Sequence, residues 1–127
     1  MKHFIIALTL LFAGAVNAHS QTQMTSAQLS LTINQNLSEA QAGNAQAQEV
    51  IGKCYFDLKD YSQAIYWLNE AACQGNDEAI NELGLCYQYG LGVDINRPKA
   101  AELFQKAASM GNDEAKENLK NLNRPWI

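Results

Sequence analysis

The stretch QGNDEAINELGLCYQYGLGVDINRPKAAELFQKAASMGNDEA, residues 74–115, begins and ends on nearly the same words. Gly-Asn-Asp-Glu-Ala fills 75–79 and returns at 111–115, a period of 36. The match extends past five residues. AGNAQAQEVIGKCY, residues 42–55, follows QGNDEAINELGLCY, residues 74–87, position for position, which places an earlier copy at Gly43. That copy starts 32 residues upstream of Gly75, and the missing four fall between Tyr55 and Gln63. A change of length confined to one inter-element loop is what a stacked repeat tolerates.

Each copy reads as two helices. Ala79, Ile80, Leu83, Gly84 and Tyr87 recur at helical spacing on one face. Gly90 and Gly92 stop that helix, since glycine takes the positive φ that a helix end demands. Asn96 can cap the next helix, with Pro98 in its first turn, and Ala100, Leu103, Phe104, Ala107 and Ala108 form its inner stripe. Ala64, Trp67, Leu68, Ala71 and Ala72 hold the same places in the first copy. The repeated pentapeptide is then a joint: Gly75 or Gly111 lies just past one helix, and Asn76 or Asn112 caps the next. Asp and Glu follow in a first turn, where the helix dipole favours negative charge by about 0.3–1 kcal/mol. Capping accounts for this acidic pair without catalysis.

The flanks extend the array. Leu29, Ile33, Leu37 and Ala40 predict a leading helix over 26–42, with Thr25 or Ser26 as cap, and Asn112 to Leu122 predicts a closing helix before Pro125. Terminal units of a solenoid need such covers for their apolar faces. Residues 1–18 have the pattern of a secretory signal peptide: Lys2 and His3, an apolar run from Phe4 to about Val16, then Ala18 at the cleavage site. The expected division is 1–18 signal peptide, 19–25 disordered, 26–42 leading helix, 43–122 repeat domain and 123–127 tail. Removal of the signal leaves eight basic and thirteen acidic residues, net −5. Such a surface argues against nucleic acid or anionic lipid as partner and permits a basic protein.

These residues resemble Sel-1-like repeats, relatives of the tetratricopeptide repeat. The resemblance runs from about Ala40 to Leu122 and rests on Leu83-Gly84, Tyr87, Gly90, Gly92-Val93, Lys99-Ala100, Lys106-Ala107-Ala108 and Gly111. The first copy lacks the G-x-G-V loop and looks more like an ordinary tetratricopeptide hairpin. The resemblance implies an all-α fold, a short right-handed α-solenoid of antiparallel helix pairs, with a role in protein–protein interaction. In related repeats the first helices line a concave groove for the ligand. Helical spacing puts Glu49, Val50, Lys53, Phe56 and Asp57 on the outer face of one first helix, and Asn81, Glu82, Leu85, Gln88 and Tyr89 on that of the next. These are the candidate partner-binding residues, with Phe56, Leu85 and Tyr89 as anchors. An alternative is that neighbouring helices simply cover them.

Catalytic chemistry finds little footing. His19 alone remains after signal removal, so no histidine-based triad or multi-histidine metal site can form. No C-x-x-C or phosphate loop is present, and no cofactor is implied. Cys54 and Cys86 are equivalent positions at the edge of the buried face, either small buried hydrophobes or partners in a disulfide. Cys73 is either a free thiol or a bridge between chains. Some secreted members of the resembled family carry a regular disulfide in each repeat, and these three cysteines do not reproduce it.

The expected function is non-enzymatic binding of a protein partner by an exported helical repeat, in the periplasm or outside the cell. No membrane insertion is expected after signal cleavage, and the oligomeric state stays open, with a monomer as the starting assumption. Narrower readings are an envelope adaptor or host-interaction factor, or a periplasmic immunity protein that neutralises a toxin or effector. The rival of another class is a β-lactam-binding or hydrolysing protein.

Overall fold

The structure, a computed structural model, describes residues 23–125; the expected signal peptide lies outside them. Among the described residues there are six helices and no strand. They are α1 (Ser26–Gln41), α2 (Ala45–Asp57), α3 (Tyr61–Cys73), α4 (Asp77–Tyr89), α5 (Arg97–Ser109) and α6 (Asp113–Leu122). Helices α2 and α3 pack as one antiparallel hairpin and α4 and α5 as another, with α1 against α2 and α6 against α5. The all-α solenoid expected from the repeat is thus the observed architecture.

One local device makes three of the joints. Gly43, Gly75 and Gly111 have φ of 99°, 84° and 97°, conformations open chiefly to glycine. Beyond each glycine, the backbone N–H of Asn44, Asn76 or Asn112 donates back to the carbonyl of Glu39, Ala71 or Ala107, which closes the preceding helix in a Schellman motif. The same asparagine's side chain accepts from the N–H of Ala47, Ala79 or Ala115, at 2.9, 2.9 and 2.8 Å. A single residue therefore ends one helix and starts the next; the cap alone contributes about 1 kcal/mol. Of the two expected caps of α1, Thr25 is the one used, in a capping box with Gln28.

The hairpins close through small residues. A Cβ on Gly52 would lie 2.8 Å from Leu68 Cγ, and one on Gly84 would lie 2.5 Å from a Phe104 ring carbon. Leu68 and Phe104 are both completely buried, so each fills the space that its glycine leaves open. Ala64, Ala71, Ala79, Ala100, Ala107 and Ala115 are equally buried and let neighbouring helices approach closely. Larger apolar side chains fill the ends: Leu29 and Ile33 of α1 pack with Ile51, and Leu122 of α6 packs with Phe104. Trp67, Leu103 and Tyr87, placed on the inner stripes by spacing, are only half-buried.

Candidate functional site

The first helices of the units, α2 and α4, lie beside each other, and α4 likewise meets α6. This contact corrects the expected outer face. Asn81 is completely buried, because its Oδ1 accepts from Asn118 Nδ2 of α6 at 2.9 Å and the two helices close over it. Its own Nδ2 is buried without a partner. Glu49 is buried as well, its carboxylate held by Gln46 Nε2 at 2.7 Å and facing Lys53 Nζ at 3.4 Å. Position 49 corresponds to position 81 in the repeat, so both copies turn this side chain inward. The alternative reading, that neighbours cover these positions, holds for both.

The remaining candidates divide. Lys53 and Tyr89 are exposed, Tyr89 by 62% of its surface. Val50 is half-buried against the α1–α2 core, and Leu85 against the cluster of Ala100, Phe104 and Leu122. Phe56 stacks edge-on against Tyr61 at the entrance of α3, with ring centroids 5.5 Å apart. Glu82 and Gln88 are half-buried. Of the three proposed anchors, only Tyr89 is free of packing duties; an apolar residue next to the stripe cannot be told from one within it by spacing alone.

Charge, rather than apolar area, unites the face. Glu82 feels Lys53, Glu114, Glu78 and Glu49, which come from α2, α4 and α6. Burial, reinforced by the three carboxylates and opposed by Lys53, pushes Glu82 up to about 7. Burial also works against the Lys53 charge, but Glu49, Glu82 and Glu78 outweigh it and hold its pKa above the ordinary lysine value. The structure therefore sets three glutamates, Glu49, Glu78 and Glu82, to act on Lys53, and a fourth, Glu114 of α6, to act on Glu82. Glu78 and Glu114 are the first-turn acids of the repeated joint, so their capping role and their place on this face coincide.

The thiols do not add reactivity to this face. All three cysteines are free; Cys54 and Cys86 are buried and Cys73 is exposed. Burial, then Asp57 and Glu49, push the Cys54 thiol up. Burial, then Glu82, push Cys86 up to about 12, so it stays protonated at neutral pH and is a poor nucleophile. Among the described residues no group of three or more histidine, cysteine or carboxylate side chains is arranged to hold a metal ion. No helix among them is long and apolar enough to cross a membrane.

On the side of the second helices, where the sequence marks only Cys73, the structure has a crevice of about 190 Å³. Its floor is apolar: Ala72 of α3, Ile80 and Leu83 of α4 and Leu103 of α5. Its walls carry Cys73, Lys99 and Lys106. None of the ten candidate residues lines it.

Comparison with known proteins places this architecture. Residues 45–76 and 77–112 each match the family model of the Sel1 repeat, together more than half of the chain. The chain is 35% identical over 85 residues to the DAP3-binding cell death enhancer 1 of Rattus norvegicus, covering 65% of this chain and 17% of that protein. It is 32% identical over 89 residues to the Sel1-repeat-containing protein YjcO of Escherichia coli K12, covering 70% of this chain and 38% of that protein. Among solved structures it resembles c5321, a protective antigen present in uropathogenic Escherichia coli strains displaying an SLR fold. That likeness has a TM-score of 0.68 and 31% identity, over 71% of this chain and 20% of that one. The chain spans less than two fifths of the length of each of these proteins.

Proposed function

Because the chain belongs to the Sel1 repeat family, whose helical-repeat proteins typically act in protein–protein interaction, we propose that it binds a protein partner along its first helices and has no enzymatic activity. The observation that carries this reading is the acidic set centred on Glu82, which feels Glu49, Glu78 and Glu114 together with Lys53, with exposed Tyr89 on the same helix as Glu78 and Glu82. A partner that brings a basic segment would neutralise these mutually repelling carboxylates, and tyrosine is a favoured interface anchor. The name of the rat relative describes that protein as DAP3-binding, which supports the same class of function.

The residues proposed to carry binding are Lys53, Glu82, Gln88 and Tyr89 at the surface, with Val50, Phe56 and Leu85 shaping it and Glu49 and Asn81 supporting it from beneath. We read the chain as exported, on the strength of residues 1–18. Amino-terminal sequencing of the protein recovered from the envelope fraction should then begin at His19.

The test of the binding surface uses immobilised protein to capture partners from an envelope extract. The variant Glu78→Lys/Glu114→Lys/Tyr89→Ser alters exposed side chains only and should keep its helical circular dichroism. It should lose the captured protein. Undiminished capture by this variant would remove the first-helix face from consideration.

A further inference from the structure

The crevice on the second-helix side exists because two equivalent positions differ. In the first unit, Trp67 of α3 packs against the core that includes Leu29 and Ile33 of α1. In the second unit the corresponding residue of α5 is the smaller Leu103, which lines the crevice together with Asn69, Ala72 and Cys73 of α3. The floor differs too. Gln48 of α2 reaches out to the carbonyl of Ala40 and to Gln74, whereas its counterpart Ile80 is apolar and underlies the void while packed with Ala107 and Ala115.

The walls differ in charge. Where α3 carries Gln63 and Glu70, α5 carries Lys99 and Lys106. No carboxylate lines the crevice, although the chain has thirteen acidic residues and nine basic ones. Lys99 faces Glu102 at 3.7 Å, while Lys106 makes no ion pair among the described residues. Seven residues separate the two lysines, so both stand on one side of α5, about 10 Å apart along the helix with Leu103 between them.

We propose that this crevice binds a small organic anion with a compact apolar body, an aryl- or alkyl-carboxylate. An apolar cavity of about 150 Å³ accepts a benzene ring, so about 190 Å³ takes a ring with a short chain. The ring lies on Leu103 and Tyr87, above the buried Ile80 and Leu83. The carboxylate stays at the open mouth, beside the Lys106 ammonium. This site is independent of the first-helix face, which carries the opposite charge.

Cys73 supplies the readout. It lines the crevice and is exposed, whereas Cys54 and Cys86 are buried, so alkylation of the folded full chain by iodoacetamide reports on Cys73. Phenylbutyrate should slow that alkylation several-fold in a saturable manner, with millimolar affinity as expected for so small a ligand. Phenylbutanol, with the same body and no charge, should protect far less. Lys106→Glu installs the residue of the first unit at an exposed position and should abolish protection by phenylbutyrate without altering the circular dichroism. Leu103→Trp should abolish it by filling the void. Equal protection by the alcohol, unchanged protection in Lys106→Glu, or no protection at the solubility limit of phenylbutyrate would each overturn the proposal.

Discussion

The hairpins α2–α3 and α4–α5 are built from helices of the same 13-residue length, yet they close in different ways. The first turns in three residues. Its Asp60 N–H donates back to Tyr55, as in the asparagine joints, but Lys59 holds the glycine position at φ 65°. The second turns through Gly90 and Gly92, at φ 70° and 74°, and Asn96 N–H returns to the carbonyl of Tyr87 at 2.8 Å. Gly92 lies on the start of α3, where a Cβ would sit 2.8 Å from that of Tyr61. The longer loop is therefore a contact between units, while in the shorter one Leu58 packs on the α1–α2 core. A repeat can thus lose its glycine loop and keep its helices, at the expense of a left-handed lysine.

The comparison is broken most severely at the hairpin glycines. Gly84→Ala drives a methyl into the rigid ring of Phe104, while Gly52→Ala meets the more adaptable Leu68. Overpacking of this kind costs about 1–3 kcal/mol. Gly84→Ala should fall near the upper end and Gly52→Ala near the lower, as midpoints of urea unfolding will show. Equal losses would mean that the two hairpins relax alike.

A second effect separates the units by pH. Position 82 in the second unit is a half-buried glutamate; its counterpart in the first is Val50. The folded-state pKa of Glu82, about 7, stands above its ordinary value of 4.5, so the folded protein holds a proton that the unfolded chain has released between those limits. Its contribution to stability is complete below pH 4.5 and is lost as pH rises through about 7. Glu82→Gln should therefore stabilise the protein by about 1–3 kcal/mol at pH 8 and change little at pH 4.5. Thermal unfolding at the two pH values checks this, and a pH-independent gain would contradict the assigned cause.

The smallest change sharpens the comparison. Lys59→Gly gives the first hairpin the residue its backbone requests. Relief of the left-handed conformation, partly offset by greater freedom of the unfolded chain, should stabilise by about 0.5–1 kcal/mol. Chemical denaturation of the full chain measures it, and a destabilised Lys59→Gly would show that the lysine side chain has a role there.

What was legible in the sequence was local. Asn76 and Gly75 act on groups within a few residues of themselves, so their roles follow from chemistry and position alone. The candidate face was less legible. Glu49 and Asn81 stand one helical step from the apolar stripe, and their burial depends on how closely the next first helix lies alongside. No spacing within one helix reports that distance. Leu85 and Phe56 are half-buried for the same reason, since each turns toward a neighbouring element. The crevice needed a comparison between units: a leucine in place of Trp67 reads as ordinary core until the second helices are set side by side.

The asparagine that closes one helix with its backbone and opens the next with its side chain has a consequence for how such a chain can lengthen. Because both bonds are made by one residue, the end of one helix and the start of the next are coupled within two residues. Residues 77–112 thus behave as a brick with its own mortar. Another copy laid after Asn112 meets the same coupling, and variation is left to the one turn where the units already differ.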